Sequence, residues 1–180
     1  MKNFVYDLAY ILRALHQNGL VLRQLPLTSL RWLPVMRKYF LGEFLSLSRQ
    51  GPSEYHPNIP FLVLQPCFSA PECFDSAGRL TPATDVFALG KTLLMLLGRR
   101  FQYNEPVLSD VAAALAEIDI KFRPMLPEPV VRFMKLALQR DPRQRPQHMG
   151  KVMALITGRE PAPPPKPVPS RKSNPRKPRF

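Results

Sequence analysis

Residues 80–100 read LTPATDVFALGKTLLMLLGRR, and this stretch predicts one long helix that is apolar on nearly every side. Thr81 is a suitable N-cap, Pro82 fits the first helical position, and the apolar run ends at Gly98. A helix that is apolar all round belongs in the middle of a core rather than at the surface. We therefore expect this segment to be the centre of the domain.

Further helical patterns lie on both sides of this segment. Residues 3–19, NFVYDLAYILRALHQNG, place apolar side chains at helical spacing, and Asn18-Gly19 supplies a stop suited to a left-handed cap. Three weaker patterns predict helices at about 107–117, 128–139 and 146–157. The segments LVLRQL (20–25) and KYFLGEFLSL (38–47) predict small strands or extended segments, and residues 50–81 predict a long, mostly irregular connection.

The composition divides the chain into one domain and a tail. At 180 residues with 45% hydrophobic composition, the chain is long enough for one core and too short for two full domains. Residues 159–180 contain eight of the 22 prolines, and seven Lys or Arg against one acid give them +6 of the net charge of +13. We expect a folded domain over residues 1–158 and a disordered or polyproline-like basic tail over residues 159–180.

The cysteines and the hydropathy indicate a soluble protein of a reducing compartment. Cys67 and Cys73 are too few for a disulfide framework, and their spacing with His56 matches no zinc pattern, so buried free thiols and no metal are expected. No stretch approaches the roughly 18 apolar residues of a membrane span. Asp7 and Arg13 interrupt the first apolar run, which argues against a signal peptide. A cytoplasmic location is the expectation.

Three short motifs follow one another along the chain. SAPECF contains Ala70-Pro71-Glu72, the central helix begins with Asp85, and LQRDPRQRP contains Asp141-Pro142 and Arg145-Pro146. In that order and at those separations they resemble the C-terminal lobe of eukaryotic-like protein kinases, from the first helix to about residue 157. The resemblance implies a mainly α fold, a helical bundle with a short β-hairpin and loop region, that lacks the N-terminal lobe.

The resemblance also implies structural roles for three charged residues. Glu72 is expected to pair with Arg145 through a fork-to-carboxylate bond that joins distant segments. Asp85 is expected to accept hydrogen bonds from the backbone of the segment around residues 22–24 and to hold that loop against the core. The simpler alternatives are a solvated acid at position 72 and a helix-start acid favoured by the helix dipole at position 85.

The segment VLRQLPLTS, residues 21–29, resembles the catalytic loop of the family without its chemistry. The family loop carries His-Arg-Asp, then four intervening residues and an Asn; the Asp accepts the substrate's hydroxyl proton and the Asn holds magnesium. In an alignment on Arg23, Leu22 replaces the His, Gln24 the Asp and Ser29 the Asn. Gln24 has no titratable proton acceptor, and general-base assistance is worth about 10² to 10⁴ in rate, so no catalytic residue is expected.

The segment that resembles the family's magnesium-binding Asp-Phe-Gly is Glu43-Phe44-Leu45. Glutamate keeps the charge on a longer arm, which weakens a site that demands near-ideal octahedral geometry, and leucine lacks the backbone freedom of glycine. Phe44 is expected to remain a core side chain. Gln65 stands where a Thr would orient the catalytic Asp. No glycine-rich loop or strand Lys precedes the first helix, so no nucleotide cofactor is expected.

The remaining polar candidates favour simpler interpretations. His16 is interpreted as a packing residue and His148 as an exposed one. Ser69 and Ser76 lack a partnered His and acid in recognisable order, which disfavours a hydrolase. If no N-terminal lobe covers the cleft face, three side chains are expected to form an exposed apolar patch that invites a partner; these are Leu22, Leu30 and Phe40.

The tail offers two kinds of contact to a partner. PAPPPK (161–166) satisfies the pattern P-x-x-P-x-K through Pro161, Pro164 and Lys166, and such segments dock in aromatic grooves as polyproline II helices. Beyond it, binding to nucleic acid or an acidic partner would be electrostatic and salt-sensitive. The cations that would carry it are Arg171, Lys172, Arg176, Lys177 and Arg179. A tail that only solvates the domain is the alternative.

The functional hypotheses follow from the retained and the missing chemistry. The leading one is a catalytically inactive, pseudokinase-like module that acts as a protein-interaction or regulatory scaffold for an unidentified partner. The first alternative is a serine/threonine kinase fragment, completed by an N-terminal lobe upstream or on another chain, that transfers phosphate from ATP. The second alternative is a binder of nucleic acid or anionic surfaces that uses the basic tail.

Overall fold

Four helices and three two-stranded antiparallel sheets form the regular structure of the residues described. The structure is a computed structural model that describes residues 1–53, 64–65, 67–97 and 126–159. Short 3-10 turns also occur at Leu27–Ser29, Pro71–Phe74 and Pro142–Gln144. The regular elements are α1 (Lys2–Gln17), β1 (Leu20–Val21), β2 (Leu30–Leu33), β3 (Lys38–Leu41), β4 (Ser48–Arg49), β5 (Gly51–Pro52), β6 (Arg79–Leu80), α2 (Pro82–Leu97), α3 (Glu128–Ala137) and α4 (Met149–Thr157).

The central helix α2 is buried as the sequence predicts. Every residue from 83 to 94 is buried, and α2 contacts all three other helices. Pro82 occupies its first position, and Thr81 precedes it with its backbone N–H donating to Thr84 Oγ1 at 3.1 Å. Helix α3 approaches α2 closely at Gly90, because a Cβ atom there would lie 2.9 Å from Cβ of Ala137. A larger side chain at position 90 would push the two helices apart.

Helix α1 packs one apolar face against α4 and against strand β3. Its buried face is Phe4, Val5, Leu8, Ala9 and Leu12. The ring of Phe4 meets that of Tyr39 edge to face, with centroids 4.8 Å apart. The predicted left-handed stop is confirmed at Gly19, where φ is +70°.

The three sheets are shorter and more numerous than the sequence predicts. They pair β1 with β4, β2 with β3, and β5 with β6. Strand β1 ends at Val21 because the backbone N–H groups of Leu22 and Arg23 donate to the Asp85 carboxylate, not to a neighbouring strand. The local sequence pattern does not predict strand β2 (Leu30–Leu33), which pairs with β3 as an antiparallel hairpin.

The two C-terminal helices lie close to their predicted positions. Helix α3 covers Glu128–Ala137, and α4 starts at Met149, three residues later than the first residue predicted. The later start has a clear cause, because exposed His148 is the N-cap, with Nδ1 accepting from Lys151 N at 3.2 Å. The helix predicted at 107–117 and residues 160–180 of the predicted tail lie outside the described residues. No helix in the described part of the chain is both long enough and apolar enough to cross a bilayer.

The expected ion pair between Glu72 and Arg145 is present and buried. Arg145 donates from both terminal nitrogens to the two carboxylate oxygens, at 2.6 and 3.0 Å. Its remaining donors bond to the carbonyl oxygens of Gln139, Arg140 and Ala83, and its guanidinium lies 4.7 Å from the ring centroid of Phe87. One side chain therefore joins the 71–74 turn, the start of α2 and the loop that follows α3.

We expect Glu72→Ala to lower the free energy of unfolding by about 3–5 kcal/mol, because the guanidinium would stay buried without its counter-charge. The matched control is Arg143→Ala, since Arg143 Nε lies 3.6 Å from Asp141 Oδ1 in a pair whose arginine side chain is 93% exposed. Exposed pairs contribute about 0–1 kcal/mol. Urea unfolding followed by circular dichroism measures both variants, and equal losses would contradict a structural role for the buried pair.

Candidate functional site

Most of the positions that the sequence predicts to be altered catalytic or magnesium-binding residues line one cleft. Its volume is about 340 Å³, and it lies between the segment that follows β1, the segment that follows β3, and residues 64–65. Its lining residues are Arg23, Gln24, Pro26, Thr28, Ser29, Glu43, Leu45, Ser46, Leu64 and Gln65. Of the predicted positions, Leu22 and Phe44 do not line the cleft.

Asp85 holds the loop at the base of the cleft through its backbone. Its Oδ1 accepts from Arg23 N at 2.7 Å, and its Oδ2 accepts from Leu22 N at 2.8 Å. The carboxylate is 1% exposed, so these bonds replace the water it has lost. Arg23 adopts a left-handed backbone with φ +70°, a conformation that is unfavourable for a side chain with a Cβ. The two adjacent bonds to one carboxylate hold it there.

His16 is a third partner of Asp85 that sequence reasoning missed. Its Nε2 donates to Asp85 Oδ2 at 2.8 Å, and the side chain is 7% exposed. The interpretation of His16 as a packing residue therefore captures its burial and omits its hydrogen bond. The two residues are 69 positions apart, and nothing in the sequence around either one indicates the contact.

Thr92 provides a second attachment of the loop to α2. Its hydroxyl donates to the carbonyl oxygen of Leu25 at 2.5 Å. Seven residues separate Thr92 from Asp85, which is about two helical turns, so both side chains lie on the same face of α2. Thr92 lies seven positions after Asp85 in a largely apolar helix, and this spacing is the sequence signal that could identify Thr92 as a second attachment point.

Gln24 occupies the cleft as a bonded amide. Its Oε1 accepts from the backbone N–H of Gln65 at 2.7 Å, and Gln24 and Ser69 form an isolated antiparallel bridge. The side chain is 8% exposed overall. The amide therefore links the loop after β1 to the segment before the 71–74 turn.

The segment Glu43-Phe44-Leu45 projects outward, and the prediction of a core Phe44 is wrong. Phe44 is 41% exposed and Leu45 is 92% exposed. The chain turns here, with Leu47 N donating to Phe44 O at 3.1 Å, and Leu47 packs against the core in place of Phe44. Arg23 Nε donates to Ser46 O at 2.7 Å and joins the two sides of the cleft.

The predicted apolar patch on the cleft face is present only in part. Leu22 is 2% exposed, because its N–H bonds to Asp85 and its side chain enters the core. That part of the prediction is wrong. Leu30 is half-buried, and Phe40 is 50% exposed as predicted.

Both cysteines are free and buried, as predicted. Burial raises the pKa of the Cys73 thiol to about 12, with the nearby charges of Glu72 and Asp85 adding to the effect. Burial also raises the pKa of Cys67 and lowers the pKa of the Lys91 ammonium on α2. Within the described ranges, no group of three or more His, Cys, Asp or Glu side chains is arranged to hold a metal ion.

Neither the models of known protein families nor the curated proteins gave a match to this chain.

We expect Asp85→Ala to lower the free energy of unfolding by about 2–6 kcal/mol, because it leaves two buried N–H groups without an acceptor at about 1–3 kcal/mol each. Thr92→Val removes one hydroxyl of nearly the same shape, and a loss of about 1 kcal/mol is expected. Urea unfolding of the two variants measures which one loses more free energy of unfolding. A smaller loss for Asp85→Ala than for Thr92→Val would contradict the central role of the carboxylate.

We expect Cys73 to resist alkylation in the folded protein at pH 8, because a thiol with a pKa near 12 is almost entirely protonated there and is buried. A Cys67→Ser variant leaves Cys73 as the only thiol for mass-spectrometric measurement of iodoacetamide labelling. Labelling should become fast in urea, where the pKa returns to its ordinary value. Equally fast labelling without urea would contradict the burial of the Cys73 thiol in the folded protein.

Proposed function

We propose that the chain is a catalytically inactive, protein-kinase-like C-terminal lobe that serves as a protein-interaction or regulatory scaffold. The proposal rests on the identity and hydrogen bonding of Gln24. This residue stands at the position of the family's catalytic Asp, and its amide oxygen is engaged by Gln65 N at 2.7 Å. A neutral amide in that bond has no basic group with which to accept the proton of a substrate hydroxyl.

The other cleft residues support the same proposal. Glu43 is the only carboxylate among the described residues that line the cleft. Ser29, at the position of the family's metal-binding Asn, is 3% exposed and offers a hydroxyl rather than an amide oxygen. Magnesium is usually held by carboxylates together with substrate phosphates in near-ideal octahedral geometry, so this set is a poor substitute for the family's paired ligands.

The interactions that support the fold are retained, in contrast to the missing catalytic and metal-binding groups of the cleft. The Glu72–Arg145 pair and the bonds of Asp85 to Leu22 and Arg23 are complete. Their intact geometry alongside an altered cleft favours a role for the surface of the domain over a role for phosphoryl transfer. The competing proposal is a kinase completed by an N-terminal lobe, and it requires the cleft residues to take part in turnover.

We expect the purified chain to show no phosphoryl transfer from magnesium-ATP to itself or to a protein substrate, and no stabilisation by magnesium-ATP in thermal unfolding. Gln24→Ala and Glu43→Ala should behave like the parent in both assays. Radiolabelled ATP measures the transfer. Turnover that Gln24→Ala or Glu43→Ala abolishes would overturn the scaffold proposal in favour of the kinase alternative.

A further inference from the structure

The turn that joins β2 to β3 displays apolar side chains where turns usually carry polar ones. Residues 33–38 read LPVMRK, and we call them the hairpin tip. Within it, Val35 is 98% exposed and Met36 is 63% exposed. Connections of this kind usually consist of Gly, Asn, Asp, Ser or Pro. Two exposed apolar side chains beside Pro34 therefore call for a functional explanation.

The base of the hairpin is firmly attached to the domain. Leu41 is fully buried opposite Leu30. Tyr39 packs against Phe4, and its N–H donates to Asp7 Oδ2 at 3.1 Å. The tip is thus the outer end of a ribbon whose inner end belongs to the core, and its apolar residues project away from the domain.

Aromatic and basic side chains surround the apolar tip. Trp32 is 47% exposed and its ring lies against that of Tyr39 at a tilt of 52°, with ring centroids 4.7 Å apart, and Phe40 is 50% exposed. The cations of this region, all exposed, are Arg31, Arg37 and Lys38. The sequence contains no acid between Asp7 and Glu43. Asp7 bonds to the backbone of Tyr39 at the base of the hairpin, and Glu43 lines the cleft, so the hairpin segment itself carries three cations and no acid.

We propose that this hairpin docks the protein on the surface of a bilayer that contains anionic lipids. The order of side chains from the tip inward matches the order of layers in a bilayer. Val35 and Met36 enter the acyl boundary, the Trp32 ring lies at the headgroup level, and the three cations contact anionic headgroups. The proposal concerns peripheral binding and goes beyond the scaffold function proposed above.

The shape of the surface favours a bilayer over a protein groove. A convex, fully exposed turn fits a fluid interface without a complementary cavity, whereas a protein partner needs a matching concave surface. Each cation near an anionic membrane surface contributes about fivefold in affinity, and burial of each aliphatic side chain contributes about tenfold or more. The two contributions together give measurable binding from a single hairpin.

The chain contains one tryptophan, Trp32, and its position makes it a specific reporter of the hairpin. We expect its fluorescence to shift to shorter wavelength when the full chain meets vesicles of phosphatidylcholine mixed with phosphatidylserine. Brominated acyl chains in the same vesicles should quench it. Vesicles of phosphatidylcholine alone should produce a much weaker response.

Variants separate the hairpin from the basic tail, which all of them retain. Val35→Asp and Met36→Asp should each weaken vesicle binding about tenfold or more, and Arg37→Glu with Lys38→Glu should reduce the phosphatidylserine-dependent shift of Trp32 fluorescence, although the retained tail keeps some attraction to anionic lipid. Leu96→Asp is the matched control, because Leu96 is 44% exposed on α2 and should bind like the parent. Circular dichroism verifies that each variant is folded.

Three results would overturn the proposal. One is an unchanged Trp32 spectrum on vesicles that bind the chain, which would place binding on the tail. Another is unchanged affinity in Val35→Asp and Met36→Asp. The third is a dimer by light scattering that Val35→Asp converts to a monomer without any effect of vesicles on Trp32, which would assign the tip to self-association.

Discussion

The carboxylate of Asp85 is the group on which the arrangement of the domain depends. It is buried at the start of α2 and accepts from two successive backbone N–H groups and from one histidine nitrogen. A buried charge without such partners would cost several kcal/mol, so the carboxylate and the loop stabilise each other. The same bonds end strand β1, hold Arg23 at φ +70° and fix the start of the segment that lines the cleft.

Helix α2 organises the domain because its buried polar groups are directed at separate parts of the chain. Asp85 and Thr92 bind the loop after β1, while the carbonyl oxygen of Ala83 accepts from Arg145. Gly90 admits α3 on another side. The helix thus combines an apolar surface, which drives burial, with a few polar contacts that select one arrangement of the surrounding segments.

The sequence predicts the parts of this structure that depend on local pattern. The apolar run of α2 and the amphipathic spacing of α1 are of this kind, and the geometry agrees with them. The long-range Glu72–Arg145 and Asp85 contacts do not follow from local pattern; only the family resemblance implies them, and they too are present. The short strands were predicted poorly, since two-residue pairings such as β1 with β4 depend on where the Asp85 bonds interrupt the backbone. The His16 contact and the exposure of Phe44 depend on the path of distant segments, which periodicity does not encode.

The contacts that hold the cleft loop are made to its backbone and leave the identity of its cleft-facing side chains open. Asp85 binds the N–H groups of residues 22 and 23, and Thr92 binds the carbonyl oxygen of residue 25. Every residue except proline supplies that N–H, and every residue supplies that carbonyl. The attachment is therefore indifferent to the side chains at positions 22–25. Pro26, which lacks an N–H, follows directly after the last attached residue and disturbs none of these bonds. Side chains that face the cleft are free to change under this constraint, whereas Asp85 and Thr92 are not.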